Sequence, residues 1–166
     1  MNVFDLPLMG AVRRNHALEH ATLNILTEKR PGLRLVGRSD WGGFTLYGGA
    51  STQDVADAAV AALGRLRAGE GALAIHPRCG TNLATGIVLT GLVTRGALGG
   101  RRKPWWQKAL QLAIGLAVVA ALSPSLGLRM QEHVTTSADV GGLRVMDVLR
   151  REAGVVVMHR VTTRQG

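Results

Sequence analysis

Between Ala109 and Leu128 the chain reads ALQLAIGLAVVAALSPSLGL, twenty residues without a charge. About twenty apolar residues are what an α-helix needs to cross the hydrocarbon core of a bilayer. A run of that length is hard to bury in a chain of 166 residues, which has room for one core and an appendage. A membrane-spanning helix is therefore the first expectation. A weaker apolar stretch, LATGIVLTGLVTRGALGG, precedes it from Leu83 and is interrupted by Arg95. Arg95 can snorkel to an interface, and Gly86, Gly91 and Gly96 would let two helices approach closely.

Between the two stretches lies RRKPWWQK, whose Trp105 and Trp106 suit an interfacial anchor. The reading is a transmembrane helical hairpin over 83–128, multi-pass in the cell membrane, with the lipid bilayer as partner. A soluble antiparallel helix pair is the alternative. The start, MNVFDLPLMGAVRR, has no basic leader followed by an apolar run. Both termini are accordingly expected in the cytoplasm, although Arg101, Arg102, Lys103 and Lys108 oppose translocation of the loop.

The flanking parts carry a different pattern. Gly10 to Arg30 reads as one long helix, ended by RPG at Arg30 to Gly32. LRLVGRSDWGGFTLYGG gives two short alternating strands around a Gly- and Asp-rich turn. Ser51, with Asp54 three residues on, resembles a capping box opening a second helix, and Val55, Ala59, Ala62, Leu63 and Leu66 keep helical spacing. GALAIHPRCGTN predicts a strand ending in a Pro- and Gly-bearing turn. LRVMDVLRREAGVVVMHRVTT predicts two strands joined around REAG, with a helix over 143–151 as the alternative. The fold class is α+β. A cytoplasmic mixed domain over 1–82 is interrupted by the hairpin and completed by a β segment over 129–166 that packs on the first part.

The net charge of +9 admits nucleic acid, an anionic membrane surface or a solvated basic face. Basic residues are scattered from Arg13 to Arg164 without interleaved aromatics, so nucleic acid is not expected as a partner. The single cysteine, Cys79, excludes an intramolecular disulfide.

Chemistry concentrates in RNHALEHATLNIL, where His16, Glu19 and His20 spell H-x-x-E-H. Residues four apart lie on one helix face, so both imidazoles can address one zinc ion, with Glu19 near the same face but offset. A carboxylate beside such a metal can take a proton from water as it attacks a carbonyl. Val12, Leu23 and Leu26 lie on much the same side, and a partly buried pair of histidines needs partners. The five residues resemble the zinc helix of the inverzincin metallopeptidases. The further acidic ligand of that group, on a downstream helix, has no assignable match here.

A second constellation is HPRCGTN, where His76 and Cys79 stand three residues apart. Either could supply a third ligand and leave the fourth position to water; both together would close a structural site. A cysteine nucleophile with a histidine base lacks an oriented third group. His133 and His159 are expected to be unliganded. Asp40 and Trp41, at the tip of GRSDWGGFTLYGG, are candidates for substrate contact, and a hairpin turn is preferred there to a phosphate loop because no lysine-bearing strand–loop–helix pattern follows.

HALEHAT, GRSDWGGFTLYG and HPRCGTN together resemble a bacterial family of small membrane proteins known as a domain of unknown function. The resemblance runs from about Asn15 to Arg160 and implies a membrane hairpin and the His-rich segments, with no activity attached. The expected function is a membrane-anchored zinc-binding protein with metallopeptidase chemistry as its candidate activity. His16, His20, His76 and Cys79 are the candidate ligands, Glu19 the candidate base and a peptide the candidate substrate. The alternative is a non-enzymatic protein in which the same residues hold a structural metal or a polar network, and whose hairpin serves assembly with a membrane-protein partner.

Overall fold

The computed structural model describes residues 7–99 and 103–166. Residues 1–6, on which the expectation about a leader partly rests, and Arg101 and Arg102 of the basic loop lie outside the described residues. Four helices and a four-stranded antiparallel sheet make the protein α+β. The elements are α1 (Pro7–Lys29), β1 (Val36–Asp40), β2 (Gly43–Tyr47), α2 (Thr52–Arg67), α3 (Gly80–Leu98), α4 (Trp105–Met130), β3 (Arg144–Ala153) and β4 (Val156–Arg164). They fall into two units: the described residues up to His76 with Glu132–Gly166, and Pro77–Gln131.

In the first unit the sheet order is β1-β2-β4-β3, so the two hairpins meet through β2 and β4. Register sorts the residues into faces. Ser39, Phe44, Val161 and Val148 form one row, and Gly37, Leu46, His159 and Arg150 the next. Phe44, Leu46 and Val161 in these rows are fully buried, and they join Leu18, Leu26, Val55, Ala59 and Leu63 of the two helices in one core. The opposite face carries Arg38, Thr45, Arg160 and Leu149 in one row. A two-layer sheet of this kind needs only one apolar face.

Helix α2 begins as its sequence predicts: Ser51 Oγ accepts from the Asp54 N–H at 3.0 Å and donates to the Asp54 carboxylate at 2.6 Å. The strand expected in GALAIH does not form. Gly71–Ala74 is a single 3₁₀ turn whose carbonyls are directed to α1 instead of a ladder. Asn24 holds that turn by donating to the Leu73 and Ile75 carbonyls.

His159 is fully buried in the central strand β4, 3.3 Å from the Thr52 hydroxyl, and its Nδ1 has no hydrogen-bond partner among the described residues. Burial, and then the neighbouring positive Arg150, push its pKa below the ordinary 6.5. The folded state thus disfavours the imidazolium that the unfolded chain accepts. Stability from this group is complete above about pH 6.5 and declines as pH falls from there toward the lower folded value. Denaturation of the full chain in detergent should reveal the loss between about pH 7 and pH 5, and His159→Gln, which cannot titrate there, should flatten it. An equally steep acid limb in the variant would assign the loss to other groups.

The second unit is an antiparallel helical hairpin. Cys79 caps α3, its Sγ accepting from the Thr81 N–H at 3.4 Å. Glycines let the helices meet: a methyl on Gly115 would overlap Val93, and one on Gly127 would come within 3.0 Å of the Asn82 Cα. At the open end Gln131 donates to Asn82 Oδ1, and Asn82 to the Pro77 carbonyl. Among the described residues, one helix, Trp105–Thr135, is long and apolar enough to cross a membrane, and none of its most apolar window is buried. α3 falls short of the same measure, with Asn82, Arg95 and four threonines between Thr81 and Thr94 diluting its apolar residues.

Candidate metal centre on the first helix

His16 and His20 lie one turn apart on α1, as their spacing requires, with ring centroids 4.3 Å apart. Each ring is held through Nδ1 by a backbone carbonyl: Thr135 for His16 at 3.0 Å and Ala74 for His20 at 2.8 Å. A carbonyl only accepts, so in the neutral form of each ring Nδ1 carries the proton and Nε2 the lone pair. Metal-binding histidines are fixed in this way, with one nitrogen oriented by an outer hydrogen bond and the other presented as donor.

The two carbonyls are themselves positioned by α1. Arg13 donates to the carbonyls of His133 and Thr136, and the Ser137 N–H returns a bond to the Arg13 carbonyl, which pins the turn carrying Thr135. Asn24 does the same for the turn carrying Ala74. Arg13, His16, His20 and Asn24 therefore form one polar stripe along α1, spaced by three or four residues, and each reaches a chain segment distant in sequence.

Glu19 is 4% exposed. It faces β1, where the Ser39 hydroxyl donates to Oε2 in a short bond. A side chain at Gly37 would overlap this carboxylate, so the absence of a Cβ there makes room for it. Burial raises the Glu19 pKa above the ordinary carboxylate value; the Ser39 bond and then the charge of His16 lower it only in part. Sequence reasoning missed Gly37, Ser39, Arg13 and Asn24. The last two were visible in the helical spacing around the histidines.

His76 closes the first unit with its ring centroid 5.8 Å from that of His20. Cys79 belongs to the helical unit as the cap of α3. Three residues of chain keep its Cα within about 11 Å of that of His76, at no more than about 3.6 Å each. His133 lies beside Glu132 on the surface at 3.8 Å, and His159 sits in the sheet core. Asp40 is occupied structurally: Arg160 donates to both its oxygens, at 2.6 and 2.8 Å, and holds its pKa below the ordinary value. Trp41 stays exposed at the hairpin tip.

The profile of the family described as "Domain of unknown function (DUF6391)" matches residues 11–148. An uncharacterized protein of Picosynechococcus sp. is 37% identical over 135 residues, covering 76% of this chain and 66% of the relative. The match thus spans just under two thirds of that relative's length. No solved structure matches the chain. With more than four fifths of its length under the family profile, including the H-x-x-E-H helix, the chain belongs to the DUF6391 family.

Proposed function

We propose that the chain is a membrane-anchored zinc protein in which His16 and His20 hold the metal and Glu19 serves as general base of a metallopeptidase. The observation that carries this reading is the pair of Nδ1–H bonds to the Ala74 and Thr135 carbonyls. They set the tautomer zinc needs on two rings already side by side, before any metal arrives. Cys79 or His76 completes the donor set. A third protein ligand with an open fourth position suits hydrolysis, and four ligands suit a structural ion.

When bound, zinc would supply Lewis acidity to the carbonyl under attack. The protein's own part is the proton. Glu19 takes it from the attacking water and hands it to the departing amine as the C–N bond breaks, so that one water is consumed and an acid and an amine leave. A carboxylate whose burial raises its pKa is suited to both transfers.

The anchor is α4, and in this reading α3 crosses beside it, with both chain ends on the cytoplasmic side. The apolar residues Leu83, Ile87, Leu92, Leu110 and Ile114 that the hairpin leaves exposed are those a bilayer would cover. Metal analysis of full-length protein extracted in mild detergent tests the donor set. If Cys79 is the third ligand, Cys79→Ser should lose most of the zinc and His76→Ala should keep it. Full zinc in both single variants and in their combination would refute a site built on these two segments.

A further inference from the structure

We propose that the free edge of β3 pairs with β3 of a second copy, joining two four-stranded sheets into one of eight strands. β3 is an edge strand by the sheet order, and at ten residues it is the longest strand. Its edge away from β4 has no strand partner, and of the strand's N–H groups that of Val148 is taken by the Asp147 carboxylate at 2.8 Å. Around that edge the surface is unusually apolar: Val60 is 62% exposed, Met146 56% and Leu149 46%. A groove of about 440 Å³ runs beside it, lined by Thr52, Gln53, Ala56 and Val60 of α2 and by Val145–Val148 of β3.

The occupant follows from charge and symmetry. An antiparallel pairing of identical strands has a two-fold axis normal to the sheet, which keeps equivalent faces together. Leu149 lies on the open face of the sheet, in the Arg160 row, with Asp147 and Arg151 two residues to either side on the same face. With Leu149 on the axis, Leu149 meets itself, and Asp147 of each copy stands directly opposite Arg151 of the other. Opposite charges at directly facing positions stabilise an antiparallel pair, and like charges there destabilise it.

On the helix-facing side the same register sets Arg150 of the second copy opposite Val148, at the mouth of the groove. Gln53, which lines that groove, donates to the Asp57 carboxylate at 2.8 Å, while Arg150 keeps Glu152 of its own strand as partner at 2.5 Å. A bulge between Val145 and Asp147 interrupts the strand only before this stretch, leaving Asp147–Ala153 in regular register. An anionic lipid surface would not account for the Asp147 carboxylate within the patch. A strand complementary to itself does.

The test is sedimentation equilibrium of the full-length protein in density-matched detergent. The native chain should reach a monomer–dimer equilibrium in the micromolar range. Asp147→Arg and Arg151→Asp, each setting like charges opposite one another, should each weaken the dimer about tenfold, and the doubly exchanged protein should recover it. A native protein that remains monomeric at about 100 μM overturns the proposal. So does a dimer indifferent to both single reversals, which places the contact elsewhere, or a double exchange that fails to restore pairing.

Discussion

Replacing His16 and His20 together by Ala should leave the purified protein without zinc, where on the proposed reading the native chain should carry about one ion per molecule. Both rings are presented by one rigid helix and oriented by carbonyls from two other segments, so the substitution removes the preorganised half of the donor set. What remains, Cys79 and His76, is at most a pair of donors separated by two residues. The double variant also leaves the Ala74 and Thr135 carbonyls without their donors, each at a cost of about 1–3 kcal/mol if water does not replace them. Metal loss and lost packing can be told apart. Stripping the native protein with a chelator should lower its thermal midpoint, whereas the double variant should be indifferent to chelator. Stoichiometric zinc in the double variant, measured by elemental analysis, would put the metal elsewhere in the chain.

Much of the architecture was legible in simple patterns. The uncharged run from Ala109 to Leu128 became the exposed part of α4, and the alternating apolar residues on either side of Trp41 became β1 and β2. The REAG turn sits at the β3–β4 connection, with Gly154 at a positive φ of 60°. The strand expected at GALAIH failed for a tertiary reason. Asn24 and His20 draw the carbonyls of that segment to α1, and a segment committed to a helix surface cannot also pair in a ladder.

At the site, the spacing of His16 and His20 was enough to place them side by side. The partners of those rings were not legible, because backbone carbonyls leave no mark in sequence. Arg13 and Asn24 did leave one. They continue the histidine spacing in both directions, but a search for apolar periodicity passes over a stripe of partly buried polar side chains. Gly37 and Ser39 were hidden differently: each is an ordinary strand residue until the sheet register turns both toward Glu19.

On the proposed peptidase reading, Glu19→Gln should retain zinc and abolish hydrolysis. The substitution keeps the shape of the side chain and its acceptor oxygen for the Ser39 hydroxyl, and it touches neither ring nor carbonyl of the histidine pair. It removes only the group able to take a proton. Loss of a general base typically costs about 10²–10⁴-fold in rate, an effect far outside what a change in folding equilibrium of a stable protein would give. If the metal is structural, the same variant should be indistinguishable from the native chain in any cellular phenotype, while the His16→Ala protein is not. Side-by-side complementation of a deletion strain by the two variants, with zinc content and membrane extraction measured for each, decides the matter. A Glu19→Gln protein that is metal-loaded, membrane-inserted and fully functional would end the peptidase reading and leave the histidine pair as the anchor of a structural ion. The burial of Glu19 argues for the other outcome: a carboxylate at 4% exposure carries a desolvation cost, and the Ser39 hydroxyl only partly offsets it. A role in proton transfer gives that cost a use.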